Sequence, residues 1–419
     1  MSDSVRLKWL LTESDVRAGA EARDLPLLSV SISWGVRRRE SADMTTRAAS
    51  EDLSKYKLCR AGDLVINRMR AFQGALGIAP EDGVVSPDYA VLRVDPRVDK
   101  RWLNYLLTSG FTVATMASLV RGIGGTEAGN VRTPRLNVSD LQSMTVHFVA
   151  ADEQRAIADY LDRETARIDT LIEEQQRLIE MLRERRRAVV FSAVAHGLDE
   201  SVELKDSGLP GAGPVPAHWE VIPLRYAISF QEGPGIMAAD FRDRGVPLLR
   251  VSCVRTARAS LEGCNYLDPD AVEKRWSHFR VDLGDLLISA SASMGTVSEV
   301  TEETAGAVPY TGIIRIKPGR MRKDFVRWFV VSGEFIDQVD SLKTGSTIQH
   351  FGPTHLAQMR VALPPDDEQQ QIAVYLDEQT ARIDGMIQEA ERFIELARER
   401  RSALITAAVT GQIDVREAA

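Results

Sequence analysis

Residues 152–194 read DEQRAIADYLDRETARIDTLIEEQQRLIEMLRERRRAVVFSAV, and residues 367–409 read DEQQQIAVYLDEQTARIDGMIQEAERFIELARERRSALITAAV. The two segments align without a gap, and more than half of the aligned residues are identical. An internal repeat decides the architecture of a chain, because each copy is expected to form the same structural unit. The repeat therefore predicts two equivalent segments, each of which follows a different globular module.

Each copy has the apolar periodicity of a long amphipathic helix with charged flanks. We expect helices over 152–195 and 367–410, each ending just before a glycine, Gly197 or Gly411. A single helix of this length cannot bury its apolar stripe alone, so we expect the two to pack antiparallel as a coiled coil. The alternative is two unrelated helices, each packed on its own domain. The stripe residues expected to pack are Ile168, Leu171, Leu178, Ile383, Met386 and Phe393.

Polar residues are also shared between the two copies. Tyr160 and Arg167 in the first copy correspond to Tyr375 and Arg382 in the second. Because a packing stripe alone does not require identical polar residues, these pairs predict a docking surface that occurs twice in the chain.

Two globular modules precede the copies and have a similar sequence plan. Gly-Asp-Leu begins an apolar strand at Gly62 and again at Gly284, and a Trp-containing helix and a glycine- and threonine-rich loop follow in both modules. The predicted fold class is α+β, with two mixed modules separated by two long antiparallel helices. The predicted boundaries are 1–150 and 205–365 for the modules, with 151–204 and 366–419 for the spacer helices and linker.

Composition and motifs exclude several classes of function. No apolar run is long enough to span a bilayer, and three scattered cysteines favour a reduced, cytoplasmic protein without membrane association. The sequence has no Walker loop, HExxH, GxSxG or CxxC motif, and His350 and His355 lack neighbouring ligands that would favour a metal. We therefore expect neither catalysis, nor a cofactor, nor a bound metal.

Basic and amide side chains are concentrated in the predicted loops of both modules. Arginine and glutamine can recognise guanine and adenine edges through two hydrogen bonds, whereas lysine and hydroxyl side chains bind phosphates. The net charge of -8 argues weakly against a general nucleic-acid binder, but it leaves room for local basic surfaces. The concentrated residues are Arg37, Arg38, Arg39, Lys55, Lys57, Arg68, Arg70 and Gln73, then Arg250, Arg255, Arg258, Arg315, Lys317, Lys343 and Gln349.

The whole chain resembles the specificity (S) subunit of type I restriction-modification systems. The resemblance lies in LKTGSTIQHFGPTHLAQMRVALPP (342–365), the following DEQQQIAVYLDEQTARID, the linker PVPAHWEVIPL and the strand GDLLIS. The first module departs from the family pattern, because RGIGGTEAGNVRTPRL stands where the second module has its TGS loop.

The resemblance implies two target recognition domains, each of which recognises one half of a bipartite site on double-stranded DNA. It implies helices that set the unread gap and dock two methyltransferase (M) subunits, with restriction/translocase (R) subunits in the full complex and no catalysis by the chain itself. The residues expected to contact DNA are Arg68, Arg70, Gln73, Thr126, Asn130, Arg250, Ser291, Lys343, Thr344, Ser346, Gln349 and His350.

Two other functions remain as alternatives. A structural coiled-coil adaptor whose modules bind protein would show no salt-dependent DNA binding in its complex. A self-sufficient methyltransferase or nuclease is disfavoured, because the sequence contains no motif for a cofactor or a metal.

Overall fold

The computed structural model describes residues 3–39, 53–120, 135–209, 212–290, 296–342 and 351–415. The chain forms two compact units, of which the first comprises Met1–Gln176 with Glu391–Ala419 and the second comprises Arg177–Ala390. Each unit therefore combines one globular module with part of both repeat segments. No helix in the described ranges is long and apolar enough to cross a membrane.

The first unit is built around a four-stranded antiparallel sheet, with three two-stranded ribbons beside it in the described residues. Its strands are β1 (Asp3–Arg6), β2 (Leu11–Ser14), β3 (Leu28–Ser31), β4 (Gly35–Arg38), β5 (Lys57–Cys59), β6 (Leu64–Asn67), β7 (Leu76–Ile78), β8 (Gly83–Val85), β9 (Tyr89–Val94) and β10 (Thr145–Phe148). Its short helices are α1 (Lys100–Thr108), α2 (Gly110–Leu119) and α3 (Val138–Ser143). The long helix α4 (Ala151–His196) begins in this unit.

The second unit contains two four-stranded sheets in the residues that the structure describes. Its strands are β11 (Leu204–Asp206), β12 (Pro214–Pro216), β13 (Glu220–Pro223), β14 (Ile228–Glu232), β15 (Phe241–Arg242), β16 (Val246–Leu249), β17 (Asn265–Leu267), β18 (Leu286–Ser289), β19 (Val297–Glu299), β20 (Val308–Pro309), β21 (Ile313–Pro318) and β22 (Arg360–Leu363). Its helices are α5 (Pro269–Arg275), α6 (Lys323–Phe329), α7 (Gly333–Leu342), α8 (Pro353–Leu356) and the first part of α9 (Asp366–Val409).

The two modules repeat one architecture. The sheet order β2-β9-β6-β7 in the first unit matches β14-β21-β18-β19 in the second, so the Gly-Asp-Leu strands β6 and β18 occupy the same interior place. In both units, two consecutive helices follow the long strand and a short helix precedes the last strand. Trp102 on α1 and Trp328 on α6 are buried in the two cores. The predicted α+β fold with two mixed modules and two long helices is confirmed.

The long helices run antiparallel, and each ends within one residue of the predicted position. In the first unit Arg401 on α9 pairs with Asp169 on α4 at 2.9 Å, and in the second unit Arg186 on α4 pairs with Asp384 on α9 at 2.9 Å. The repeat relates Asp169 to Asp384 and Arg186 to Arg401, so the two ion pairs are equivalent. Gly197 and Gly411 follow the helices with φ of +76° and +72°, the left-handed conformation expected of a terminal glycine.

The predicted packing stripe was only partly right. Ile168 and Ile383 are buried, but Leu171, Leu178, Met386 and Phe393 are 36% to 42% exposed. The buried face of each helix instead includes polar or small residues, such as Thr165 on α4 and Thr380 and Ala390 on α9. Several buried positions carry small or polar side chains. A prediction based on hydrophobicity alone therefore chose the neighbouring stripe, which is partly exposed.

Candidate nucleic-acid interface

The Gly-Asp-Leu turn positions one edge of each module. Gly62 and Gly284 take φ of +88° and +82°, where a side chain would strain the backbone. The Asp63 carboxylate accepts a hydrogen bond from the Arg60 backbone N–H at 2.9 Å, and Asp285 accepts one from the Asp282 N–H at 2.8 Å. The start of β6 and of β18 is therefore fixed by the same turn.

The far ends of these strands are hydrogen-bonded to residues that flank, in the sequence, the segments predicted to contact DNA. In the first unit the Leu136 N–H donates to the Arg68 carbonyl at 2.9 Å, and in the second the Phe351 N–H donates to the Ala290 carbonyl at 3.2 Å. Leu136 and Phe351 follow the glycine- and threonine-rich segments, and Ala290 precedes Ser291. In each module, the residue that follows the glycine- and threonine-rich segment in the sequence is therefore hydrogen-bonded to the end of the Gly-Asp-Leu strand.

Several predicted residues lie outside the described ranges. They are Thr126, Asn130, Ser291, Lys343, Thr344, Ser346, Gln349 and His350. The described members of the predicted set are Arg68, Arg70, Gln73 and Arg250.

In the first unit, the three described residues have different environments. Arg68 is half-buried, and its guanidinium donates to the Leu136 carbonyl and to the Asn137 side chain, each at 3.4 Å. Arg70 and Gln73 are exposed on the turn that follows β6. Burial raises the pKa of Tyr89, and the nearby cations Arg39 and Arg70 partly oppose that shift. Arg68 therefore holds the loop exit in place, whereas Arg70 and Gln73 are open to a ligand.

In the second unit, Arg250 is stacked on aromatic rings. Its guanidinium carbon lies 4.0 Å from the ring centroid of Tyr310 and 5.6 Å from that of Phe241. The Tyr310 N–H donates a hydrogen bond to the Leu249 carbonyl at 2.9 Å, and the Ala290 N–H donates one to the Gly312 carbonyl at 2.8 Å. Arg250, Tyr310 and Ala290 thus lie on adjacent backbone segments, next to the predicted Ser291 segment.

Other basic residues that the sequence places in loops form ion pairs with carboxylates. Lys57 is buried and pairs with Asp15 at 2.9 Å, and Arg315 is buried and pairs with Asp285 at 2.5 Å. Lys317 pairs with Asp282 at 2.9 Å, and its hydrogen bond is the main cause that lowers the pKa of this carboxyl. All three basic residues lie on strands, so the expectation that they lie in loops was wrong.

The Tyr and Arg pairs of the repeat do not share one environment. Arg167 and Arg382 are both exposed on their helices. Tyr160 is half-buried against the core of the first unit, with the Arg163 guanidinium 5.6 Å from its ring. Tyr375 is 37% exposed and lines an open groove with the last turns of α4, including Val189 and His196.

Each unit also presents exposed apolar residues on its helical segments. Positions 171, 178 and 181 on α4 correspond through the repeat to positions 386, 393 and 396 on α9. The first unit contains Leu171, Phe393 and Leu396, and the second contains Leu178, Met181 and Met386, all between 36% and 59% exposed. We call these six residues the apolar triplets, one in each unit.

Sequence reasoning missed the aromatic partners of Arg250. Tyr310 and Phe241 are remote from Arg250 in the sequence, and pairing of β16 with β20 brings Tyr310 beside it. No local pattern could have revealed this arrangement. Within the described residues, no group of three or more His, Cys, Asp and Glu side chains is placed to hold a metal. Burial raises the pKa of the Cys59 thiol to about 12, so this cysteine is a poor nucleophile.

Comparison with known proteins gives a consistent result. Residues 270–392 match the family model of the type I restriction modification DNA specificity domain. The chain is 21% identical to the type I restriction enzyme MjaVIII specificity subunit of Methanocaldococcus jannaschii, over 68% of this chain and 65% of that subunit. The putative MjaX specificity subunit of the same organism is 22% identical, over 87% and 81% of the two chains. The match to the EcoKI specificity subunit of Escherichia coli is 21% identical and spans 48% of this chain and 45% of that subunit.

Solved structures extend the likeness to nearly the whole chain. A chain in a study of complex assembly and conformational transition of the type I R-M system has a TM-score of 0.72 at 14% identity, with 98% of both chains covered. The HsdS subunit from Thermoanaerobacter tengcongensis has a TM-score of 0.55 at 15% identity, with 98% and 97% covered. At these identities the likeness shows the fold alone. The family-model match, the curated relatives and the shared fold all support the resemblance of this chain to type I restriction-modification specificity (S) subunits.

Proposed function

We propose that this chain is the DNA-specificity subunit of a type I restriction-modification complex. One recognition domain (1–150) recognises the first half of a bipartite site on double-stranded DNA, and the other (205–365) recognises the second half. The observation that supports this most directly is the duplicated module, with the same sheet order and the same loop junction in each copy. Two copies of one recognition architecture with different loop residues suit two different half-sites.

The exposed and stacked basic residues form the proposed DNA surfaces. In the first domain Arg70 and Gln73 are open, with Arg68 positioning the loop that contains Thr126 and Asn130. In the second domain the surface comprises Arg250, Ser291 and the 343–350 segment. The chain has a net charge of -8, so we propose that partner subunits supply most of the phosphate contacts.

The spacer helices set the gap between the half-sites and dock two M subunits. A helix of 46 residues is about 69 Å long, which is about two turns of B-DNA at roughly 34 Å per turn. We propose the apolar triplets as further contacts of the M subunits, because they leave large apolar side chains exposed on both helices. Tyr160 with Arg167, and Tyr375 with Arg382, complete the two proposed docking surfaces, and R subunits join the M subunits in the full complex.

Chemistry belongs to the partner subunits in this proposal. We propose that the chain alone transfers no methyl group and binds neither S-adenosylmethionine nor ATP. A structural adaptor that binds only protein is the competing function.

The test uses the chain assembled with its M subunits. Native mass measurement should give two M subunits per chain, and DNA binding should weaken steeply as salt rises. Replacing Tyr160 and Arg167 together by Ala should lower the count from two towards one, whereas Glu180→Gln, an exposed control on the same helix, should leave it at two. Full two-subunit assembly by the Tyr160/Arg167 variant, salt-independent DNA binding, or methyl transfer by the chain alone would contradict the proposal.

A further inference from the structure

The Tyr310 ring restricts the position of the Arg250 guanidinium. The side chain is half-buried, and its guanidinium carbon lies over the ring, 4.0 Å from the centroid, a distance typical of cation–π contact. Phe241 lies edge-on to Tyr310, with ring centroids 6.3 Å apart, so the aromatic pair is itself packed. A flexible cation on the surface would have no such restriction, and this restriction reduces the entropy lost when two N–H groups of the planar guanidinium bind a ligand.

The hydrogen-bonding edge of Arg250 is left available. No described residue accepts a hydrogen bond from its guanidinium, although its backbone N–H donates to the Cys253 sulfur. Two other arginines of this unit differ in this respect: Arg280 donates to the Gly306 carbonyl at 2.9 Å, and Arg315 pairs with Asp282 and Asp285. The contact of Arg250 with the Tyr310 ring uses none of its guanidinium N–H donors as hydrogen bonds, so they are left for another acceptor.

We infer that Arg250 is a specificity-determining residue that recognises a guanine in the half-site of the second domain, and that Tyr310 and Phe241 position it. A planar pair of N–H donors matches the O6 and N7 acceptors of guanine in the major groove, the commonest specific contact of arginine with DNA. The location supports the same ligand, because backbone hydrogen bonds join Leu249 to Tyr310 and Gly312 to Ala290, the last described residue before Ser291 in the sequence. This inference rests on the proposed function and adds one base to it.

The test compares variants of the assembled complex on its own target duplex and on duplexes with single base-pair replacements. Arg250→Ala should reduce discrimination at one guanine by about 5- to 150-fold and leave the other half-site unchanged. Arg250→Lys should lose most of the same discrimination, because an ammonium cannot make the planar two-bond contact. Arg250→Gln should shift the preference at that position towards adenine.

Two further variants separate positioning from packing. Tyr310→Leu should lose part of the discrimination at the same guanine, whereas Tyr310→Phe keeps the ring and should retain it. Arg275→Ala is the matched control, since Arg275 also stacks on an aromatic ring, Trp276 at 4.1 Å, but its guanidinium is paired with Asp240. That control should leave every base preference unchanged.

The outcomes distinguish this inference from the proposed function. Equal weakening on all sequences by Arg250→Ala would make Arg250 a phosphate contact and overturn the inference, as would an unchanged preference in folded Arg250→Ala and Arg250→Lys. In both cases the wild-type complex would still bind its bipartite target. A wild-type complex without any sequence preference would instead overturn the proposed function, and the inference with it.

Discussion

Glu334, in the first turn of α7, is a carboxylic acid buried without a partner. Its side chain is 1% exposed, and neither carboxylate oxygen has a hydrogen-bond partner in the described part of the chain. Burial raises the pKa of this carboxyl from 4.5 to about 8. The folded state therefore keeps a proton that the unfolded chain releases above about pH 4.5.

This protonation predicts a pH-dependent stability. Because the raised pKa favours the proton in the folded state, the contribution of Glu334 to stability is full below pH 4.5 and is lost as the pH rises towards 8. Relative to wild type, Glu334→Gln should gain about 2–4 kcal/mol in the free energy of unfolding between pH 5 and pH 8. Urea unfolding at both pH values measures it, with exposed Glu273→Gln as the control. An equal effect of Glu334→Gln at the two pH values would refute the prediction.

The exposure and the partners of individual site residues are harder to predict from the sequence than the fold. Arg70 and Gln73 are exposed as a loop position suggests, but Lys57 and Arg315 are buried in ion pairs. Asp15, the ion-pair partner of Lys57, lies 42 residues before it in the chain. Only the folded structure therefore reveals that the Lys57 charge is paired. For the same reason, the contact between Arg250 and the Tyr310 ring could not be predicted from the local sequence.

At the scale of the elements, one glutamine in each repeat joins the long helix to its module. Gln154 is buried; its Oε1 accepts the Asp99 N–H and its Nε2 donates to the Val149 carbonyl, both at 2.8 Å. Gln369 makes the equivalent bonds with the Arg322 N–H at 2.7 Å and the Pro364 carbonyl at 2.9 Å. Asp99 and Arg322 are the N-cap residues of α1 and α6, so each glutamine links the start of a long helix to the Trp-containing helix.

Removing one of these links should destabilise its unit. Gln154→Leu leaves the Asp99 N–H and the Val149 carbonyl buried without partners, at a cost of about 1–3 kcal/mol for each group. Thermal unfolding should show the loss, and Gln369→Leu should have a similar effect. Gln176→Leu, at an exposed position on α4, is the control. Stability equal to that of the control would show that these bonds contribute little.

The elements themselves were predictable because their patterns are local. The long helices repeat over many turns and end at glycines, so their predicted ends are within one residue of the observed ends. The buried face was harder, because Thr165 and Thr380 lie on it while Leu171 and Phe393 lie beside it. Hydrophobic periodicity fixes the helical period well, but it fixes the buried face poorly when small or polar residues pack there.

At the scale of the whole molecule, the repeat allows the two long helices to be lengthened by the same amount. Asp169 with Arg401 and Arg186 with Asp384 are repeat-related pairs, so a change made equally in both helices preserves the pairing within each unit. A seven-residue insertion also preserves the helical face to about 20°. The length of both helices can therefore be altered while the two globular modules keep their sequences.

We predict that such an insertion changes the unread gap alone. Duplicating residues 170–176 after Gln176 and 385–391 after Glu391 adds about 10 Å to each helix, or roughly three base pairs of B-DNA. Target mapping of the variant complex should give the original half-sites with a longer gap. Duplication in one helix only is the control, and it should disturb helix pairing. Altered half-sites separated by the original gap would contradict the proposed division of roles.

The most direct test of recognition by two separate domains is a map of the bases methylated by the assembled wild-type complex. DNA modified by the complex should reveal two short defined sequences separated by a fixed number of unspecified bases. Exchanging residues 205–365 for the same module of another S subunit should then replace one defined sequence and leave the other intact. A single contiguous target, or a change in both halves after the exchange, would contradict recognition by two independent domains.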